Sequence, residues 1–231
     1  VNECPDQFAV TPSRTNDLSP AKKFEIVPSA TYVFDLGYYS YVWWAKLDQV
    51  GCRFVTRLKK NTKLSYVEEL PVEEGTNILS DRIGHLRDRI ANGKKNPFTK
   101  PVREVRVRLE NGKELRIVSN DLEASAEKIA SLYKRRWGIE LFFRWIKQNL
   151  RIRTFMGRSP NAIRIQVAVA LIAYLVLQLA KRAQSSIKSM LSFARLVRTN
   201  LLIRRSITEL ALSEKVPREL PRQAEFKWCE I

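Results

Sequence analysis

The spacing of apolar and polar positions along the chain changes period twice. In residues 1–61, short apolar runs are punctuated by turn residues. "FAVT" (8–11) predicts a strand, "DLSPAKKFEI" (17–26) a helix capped by Asp17 with Pro20 in its first turn, and "ATYVFD" (30–35) a buried strand ending on an acid. "SYVWWAKLDQVG" (40–51) predicts a helix closed by Gly51, and "CRFVTRLKK" (52–60) the next strand, so a βαβ unit of a largely parallel sheet is expected. Residues 62–121 lose that rhythm. Turn-rich "PVEEGTN", "ANGKKNP" and "ENGKE" surround two alternating segments, "VREVRVRL" and "KELRIVS", joined through Asn111 and Gly112, which predicts a β-rich insertion containing a hairpin. From Leu122 the period becomes helical, with helices expected over 124–150, 160–183, 185–199 and a short one from 206.

Charge narrows the partner. The chain has 231 residues, 45% of them hydrophobic, which is enough for a packed core, and a net charge of +17 from 41 basic and 24 acidic residues. So large a cationic excess points to a polyanion, most often nucleic acid. Residues 1–50 carry a net −2, whereas 51–150 and 151–231 carry +9 and +10, so the basic surface belongs to the later two-thirds. A membrane surface is the rival partner. The longest apolar run, Val167 to Leu177, falls short of the roughly 20 residues a bilayer needs and predicts a buried helix instead. Three widely spaced cysteines (Cys4, Cys52, Cys229) fit neither a metal site nor a disulfide framework and suit a reducing cytoplasm. His85 is the sole histidine, which weakens triad hydrolases and imidazole acid–base chemistry; any reaction must run on carboxylates, cations and bound metal.

One helical stretch concentrates those groups. "SLYKRRWGIELFFRWIKQN" (131–149) places a single acid, Glu140, among five cations. At 100° per residue Tyr133, Arg136, Glu140 and Lys147 fall within one arc of about 60°, beside an expected core stripe of Leu132, Ile139, Phe143, Ile146 and Leu150. Taken alone, Glu140 could simply pair with Arg136 or Arg144 at helical spacing, and Asp35 before Leu36-Gly37 could be a turn former. Arg57 and Lys59 could be solvated strand residues.

The spacing Tyr133, Arg136, Glu140, Lys147 resembles the YREK signature of the DD(E) insertion-sequence transposases of the IS-four group. "VTPSRTND" (10–17), "VFDLGYY" (33–39), "FVTRLKKN" (54–61) and "NAIRIQVAVALIAYL" resemble the same family, so the likeness runs from about residue 8 to 205. It implies an α/β, ribonuclease-H-like (retroviral-integrase-like) catalytic fold with a β-rich insertion (62–121), a catalytic helix (122–150) and C-terminal helices (151–231). Residues 1–61 would be a partial core, incomplete at its N-terminus, because the family's first Asp lies upstream of "VTPSRTND". Asp17 and Asp6 do not sit where they could replace it.

The resemblance implies Asp35 and Glu140 as catalytic ligands of Mg²⁺ or Mn²⁺, with Tyr133, Arg136, Lys147 and Arg57 holding DNA phosphates. Trp137 would stack on an unpaired base or pack against the insertion. The implied activity is metal-dependent cutting and joining of transposon-end DNA, with target DNA as second substrate. The chain alone is expected to be inactive for want of the first Asp. The partners expected are DNA, a further copy or a full-length transposase, with no membrane, in a prokaryotic cytoplasm at the nucleoid. The alternative is a non-catalytic DNA-binding remnant or an inhibitor of a full-length transposase.

Overall fold

In a computed structural model the described residues are 5–12, 14–89, 93–150, 155–183, 187, 189–200, 202 and 209. They form two compact units, Val1–Phe143 and Arg144–Ile231. The first unit holds a short helix α1 (Leu18–Ala21) and the strand β1 (Thr31–Val33). A 3-10 turn (Leu36–Tyr38) and helix α2 (Tyr41–Gln49) lead to strands β2 (Arg53–Arg57), β3 (Leu64–Leu70), β4 (Ile78–Leu86), β5 (Val102–Arg108) and β6 (Glu114–Ser119), and then to α3 (Ala126–Arg135). Helix α4 (Trp137–Asn149) crosses the division, and α5 (Pro160–Arg182) and α6 (Met190–Thr199) lie in the second unit.

The six strands make one sheet in the order β1-β2-β6-β5-β4-β3. The expectation of a largely parallel sheet is corrected. Among the described strands β1 and β2 pair in parallel, and every other pairing is antiparallel. The reason is the 62–121 segment, which does not stand apart: its last strand, β6, lies antiparallel against β2, with Val55 opposite Ser119 and Arg57 opposite Ile117. The predicted hairpin is present, with Arg108 opposite Glu114 and Gly112 at φ 76°, a conformation that costs glycine nothing. Gly51, also at φ 76°, closes α2 as expected, and the Cys52 N–H returns to the Leu47 carbonyl.

Strand alternation sorts the core onto two faces. Phe34, Phe54, Val102 and Val118 point to the face covered by α2, where Trp43, Trp44, Leu47 and Phe98 complete a cluster. Val55, Val105, Val107 and Ile117 point to the opposite face, where α3 lays down Ala126, Ile129 and Tyr133 at helical spacing. Each of the larger buried side chains contributes on the order of 1.5–3 kcal/mol by leaving water.

Two buried ionic clusters sit among these residues. On the α3 face, Arg103 forks onto both oxygens of Asp81 and donates to the carbonyls of Leu122 and Ala124, just before α3 begins. On the α2 face, Glu104 accepts from Tyr66 (2.6 Å), Arg106 and Arg116. Burial alone would push the Glu104 carboxyl up, but the hydrogen bonds from Arg116 and Tyr66 and the charges of Arg116 and Arg106 outweigh it and hold it below its ordinary value. A carboxyl depressed by folding stabilises the folded state above its unfolded value, near 4.5, and that contribution drains away as pH falls through the lower folded value. Thermal melts between pH 7 and pH 3 should therefore show an acid-side loss of stability that is shallower in Glu104→Gln.

Other local expectations are corrected. "FAVT" forms no strand; residues 8–11 pair with no ladder among the described residues. The helix expected over 17–26 shrinks to one turn, and its first free N–H, that of Leu18, is taken by Asn16 Oδ1 at 2.9 Å, while Asp17 makes no cap bond. The single helix expected over 124–150 is divided at Arg136. There the Arg136 N–H bonds the Tyr133 carbonyl and the Ile139 N–H bonds the Arg136 carbonyl, a three-residue closure tighter than an α-turn. The wheel drawn through one continuous helix does not hold: Tyr133 is buried at 7% exposure on the α3 stripe of Ala126 and Ile129, whereas Ile139 and Phe143 of the expected core stripe stand 54% and 51% exposed.

In the second unit, α5 is 23 residues long, and by length and composition alone it is the one helix among the described residues able to cross a membrane. The uncharged stretch extends past Gln166 and Gln178, which bounded the run read from sequence. Nor is α5 a buried helix: Ala170, Leu171 and Tyr174 are buried, while Ile165, Val169, Ile172, Val176 and Leu179 are exposed. Trp145 packs edge-on to Tyr174, and α6 buries Phe193 and Leu196. Apart from residue 209, the helix expected from 206 lies outside the described residues. Cys4 and Cys229 also lie outside the described residues, while Cys52 is a buried free thiol and His85 Nδ1 lies 3.3 Å from the Thr99 carbonyl oxygen.

Candidate active site

The parallel pair fixes where the first carboxylate goes. Val33 stands opposite Val55, so Asp35 and Arg57 each lie two residues beyond the same registered pair, on neighbouring strand ends. Since residues two apart share a face, Asp35 follows Val33 and Arg57 follows Val55 onto the side of the sheet that carries α3. Asp35 caps the 3-10 turn: its Oδ1 accepts the Gly37 N–H at 2.9 Å, which leaves Oδ2 directed elsewhere.

The other side comes from the helix junction. The buried face of α3 anchors Tyr133, and the tight turn that follows presents Arg136. One Arg136 nitrogen, Nη2, lies 2.8 Å from Glu140 Oε1, and the other, Nη1, lies 3.9 Å from Asp35 Oδ2. Asp35 and Glu140, more than a hundred residues apart in sequence, thus meet on a single guanidinium. Both carboxylates are partly open to solvent, whereas Arg136 is mostly covered. The Arg136 guanidinium lies 5.6 Å from the Tyr133 ring centroid and 5.9 Å from that of Trp137, so aromatic faces help to hold it.

Tyr133 is placed in the site but not at its surface. Its hydroxyl and Arg136 Nε are shut off from solvent, and neither finds a well-formed hydrogen bond among the described residues. Burial pushes the Tyr133 hydroxyl up; the charges of Arg136 and Arg57 oppose this and that of Asp35 adds to it, so the phenol stays neutral. Arg57 is exposed at the end of β2, and Trp137 is 54% exposed. Lys147, toward the end of α4, is exposed in the second unit.

Asp17 is a residue the sequence reading set aside. A Cβ placed on Gly37 would lie 3.1 Å from Asp35 Oδ1 and 3.5 Å from Asp17 Oδ2, so two carboxylates flank this glycine. Burial, then the charges of Asp17 and Asp35, push the adjacent Tyr38 hydroxyl up. The sequence signal was its place at the end of "VTPSRTND", one of the blocks that carried the resemblance.

Among the described residues no three His, Cys, Asp or Glu side chains gather closely enough to cage a metal ion. Two carboxylates converging on one cationic head nonetheless fit Mg²⁺ or Mn²⁺. Mg²⁺ in phosphoryl-transfer sites is commonly held by one or two carboxylates, with phosphate and water oxygens completing its shell.

Residues 3–176 match the family described as the transposase DDE domain. The chain is 35% identical over 237 residues to a Sinorhizobium fredii protein named as transposase y4zB, an alignment covering 98% of this chain and 65% of that one. It is 36% identical over 148 residues to a Geobacillus stearothermophilus protein named as the transposase for insertion sequence element IS5377, covering 63% of this chain and 38% of the relative. A Synechocystis protein named as the transposase for IS4SA is 44% identical over 66 residues, 28% of this chain and 20% of that one. The chain therefore spans 65% or less of the length of each of these curated relatives. With three-quarters of its length inside the family's domain, and its two candidate acids brought together by the fold, the chain belongs to the DDE transposase family.

Proposed function

We propose that this chain is the catalytic portion of an insertion-sequence transposase of the IS-four group, with a ribonuclease-H-like core, which cuts and joins transposon-end DNA. The observation that supports this reading best is the meeting of Asp35 and Glu140 on Arg136 at the carboxyl end of the parallel pair. In this reading Asp35 and Glu140 hold divalent cations, Mg²⁺ or Mn²⁺. Such cations, when bound, raise the nucleophilicity of water or of a 3′-hydroxyl and steady the leaving oxygen.

The chain's own groups prepare that place. Before DNA arrives, Arg136 neutralises both carboxylates and keeps them from repelling one another. When a phosphate enters, the fork of Arg136 turns to it, because planar guanidinium donors match phosphate oxygens. Tyr133 backs Arg136 with its ring rather than touching the phosphate, since its hydroxyl is covered. Arg57, two residues past the β1–β2 register and level with Asp35, supplies a second cation beside the cut. Lys147 contacts the backbone as a point charge, and exposed Trp137 offers a stacking face for an unpaired base.

The experiment is a nicking assay on a labelled transposon-end duplex with Mg²⁺ or Mn²⁺, using the longest polypeptide that carries this chain. Arg136→Ala should lower cutting by about 10²-fold, as expected when a donor that steadies developing phosphate charge is lost. Cutting that survives Arg136→Ala and Asp35→Asn undiminished overturns the proposal and favours a DNA-binding protein without catalysis.

A further inference from the structure

The loop after β2 carries three lysines in five residues, Lys59, Lys60 and Lys63, all exposed, and no carboxylate pairs with any of them among the described residues. A solvated lysine run needs no internal scaffold, yet this loop has one. Arg116 on β6 sends Nη1 to three of the loop's carbonyls, those of Lys59 (3.3 Å), Lys60 (3.1 Å) and Thr62 (3.0 Å). Its Nε is held by Glu104, whose other oxygen takes the Tyr66 hydroxyl. Tyr39 also hydrogen-bonds Thr62 at 2.9 Å, and the ammonium of Lys59 lies 4.7 Å from the Tyr39 ring centroid. Tyr39 belongs to the segment that follows Asp35, so the loop is tied to the same end of the sheet as the candidate active site.

We propose that Arg116, itself held by Glu104, is a positioning residue that presets the 59–63 loop as a rim for the phosphate backbone of duplex DNA; the proposal rests on the DNA-cutting reading above. Arg116 occupies the loop's carbonyls with its own cationic donor, which offsets their partial negative charge beside the lysines. Lys60 and Lys63 are the groups that touch phosphate. Rigidity matters because a preset cation pays less ordering entropy on binding than a free one.

Glu104→Gln separates positioning from bulk charge. It raises the net charge from +17 to +18, so charge alone predicts tighter DNA binding, whereas a weaker Arg116 anchor, with one amide oxygen left as acceptor but the carboxylate charge gone, predicts weaker binding. The measurement is fluorescence anisotropy of a labelled duplex of about 20 base pairs across about 50–200 mM salt, with thermal melts confirming folding. Expected are about tenfold weaker binding for Glu104→Gln and a log–log salt slope shallower by about 2, the value for two lost phosphate contacts. Lys60→Gln with Lys63→Gln should give the same slope change, and adding it to Glu104→Gln should change little more. Trypsin should cut after Lys59 or Lys60 faster in Glu104→Gln than in the parent.

Equal or tighter binding by folded Glu104→Gln overturns the inference while leaving the DNA-cutting reading in place. If Glu104→Gln fails to fold, an unchanged salt slope in the lysine pair overturns it on its own. A parent chain that binds no duplex even at low salt overturns this inference and the DNA reading together.

Discussion

Replacing Glu140 by glutamine should lower Mg²⁺-dependent nicking of a transposon-end duplex by about 10³-fold, roughly 4 kcal/mol of transition-state stabilisation, while duplex affinity without metal is unchanged or rises. The size follows from what glutamine keeps and loses. It preserves the shape of the side chain and one oxygen able to accept from Arg136, whose Nη2 lies 2.8 Å from the Glu140 carboxylate. It removes the negative charge, and a neutral amide is a poor ligand for a small, hard cation. Affinity should not fall, because one repulsive charge facing the DNA backbone is gone and Arg136 is freed toward phosphate. Asp35→Asn should behave alike, and the double variant should cut no more slowly than the worse single one, since both acids serve one site. Independent, multiplicative losses would mean that the two carboxylates act in separate places.

Sequence was most legible where a local physical rule had no competitor. Gly51 and Gly112 sit at positive φ where their turns require it, and Asp35 stands just past a short β-strand, as "ATYVFD" foretells. The approach of Asp35 to Glu140 was legible only through the family resemblance, because no pattern within either segment says that their ends converge. What local rules could not supply was long-range pairing. "VREVRVRL" alternates like a half-solvated strand, yet both of its faces are covered: Arg103 beneath the start of α3 and Glu104 on the α2 side. An alternating charge pattern is the same whether the charges meet water or each other. The break at Arg136 was equally hidden, since no proline or glycine stands at that residue and its backbone remains right-handed helical. Tyr133 falls on the buried face of α3 with Ala126 and Ile129, whereas Ile139, beyond the break, stands exposed.

Arg103→Ala should be the most damaging single change to the first unit, lowering its unfolding free energy by about 3–5 kcal/mol, because removing one member of a buried ion pair strands the other. Asp81 is 1% exposed at its side chain, and both of its oxygens are occupied by Arg103. Without the guanidinium, that carboxylate is left without its ion partner in a poorly solvated place. The Leu122 and Ala124 carbonyls lose their donor in the same stroke, and these carbonyls fix the chain just before Ser125 caps α3. Since α3 carries Tyr133, and Arg136 follows at its end, the loss should reach the site as well as the melting temperature. Replacing both partners, Asp81→Leu with Arg103→Met, removes the charges together and should recover much of the stability, as seen when buried ion pairs give way to apolar side chains of similar volume. It should not recover nicking to the same extent, because methionine cannot hold the two carbonyls that set the entry to α3. Denaturant unfolding and the nicking assay, run on the single and double variants, separate these effects. A double variant as unstable as Arg103→Ala would mean that the carbonyl bonds, rather than the stranded charge, dominate the loss.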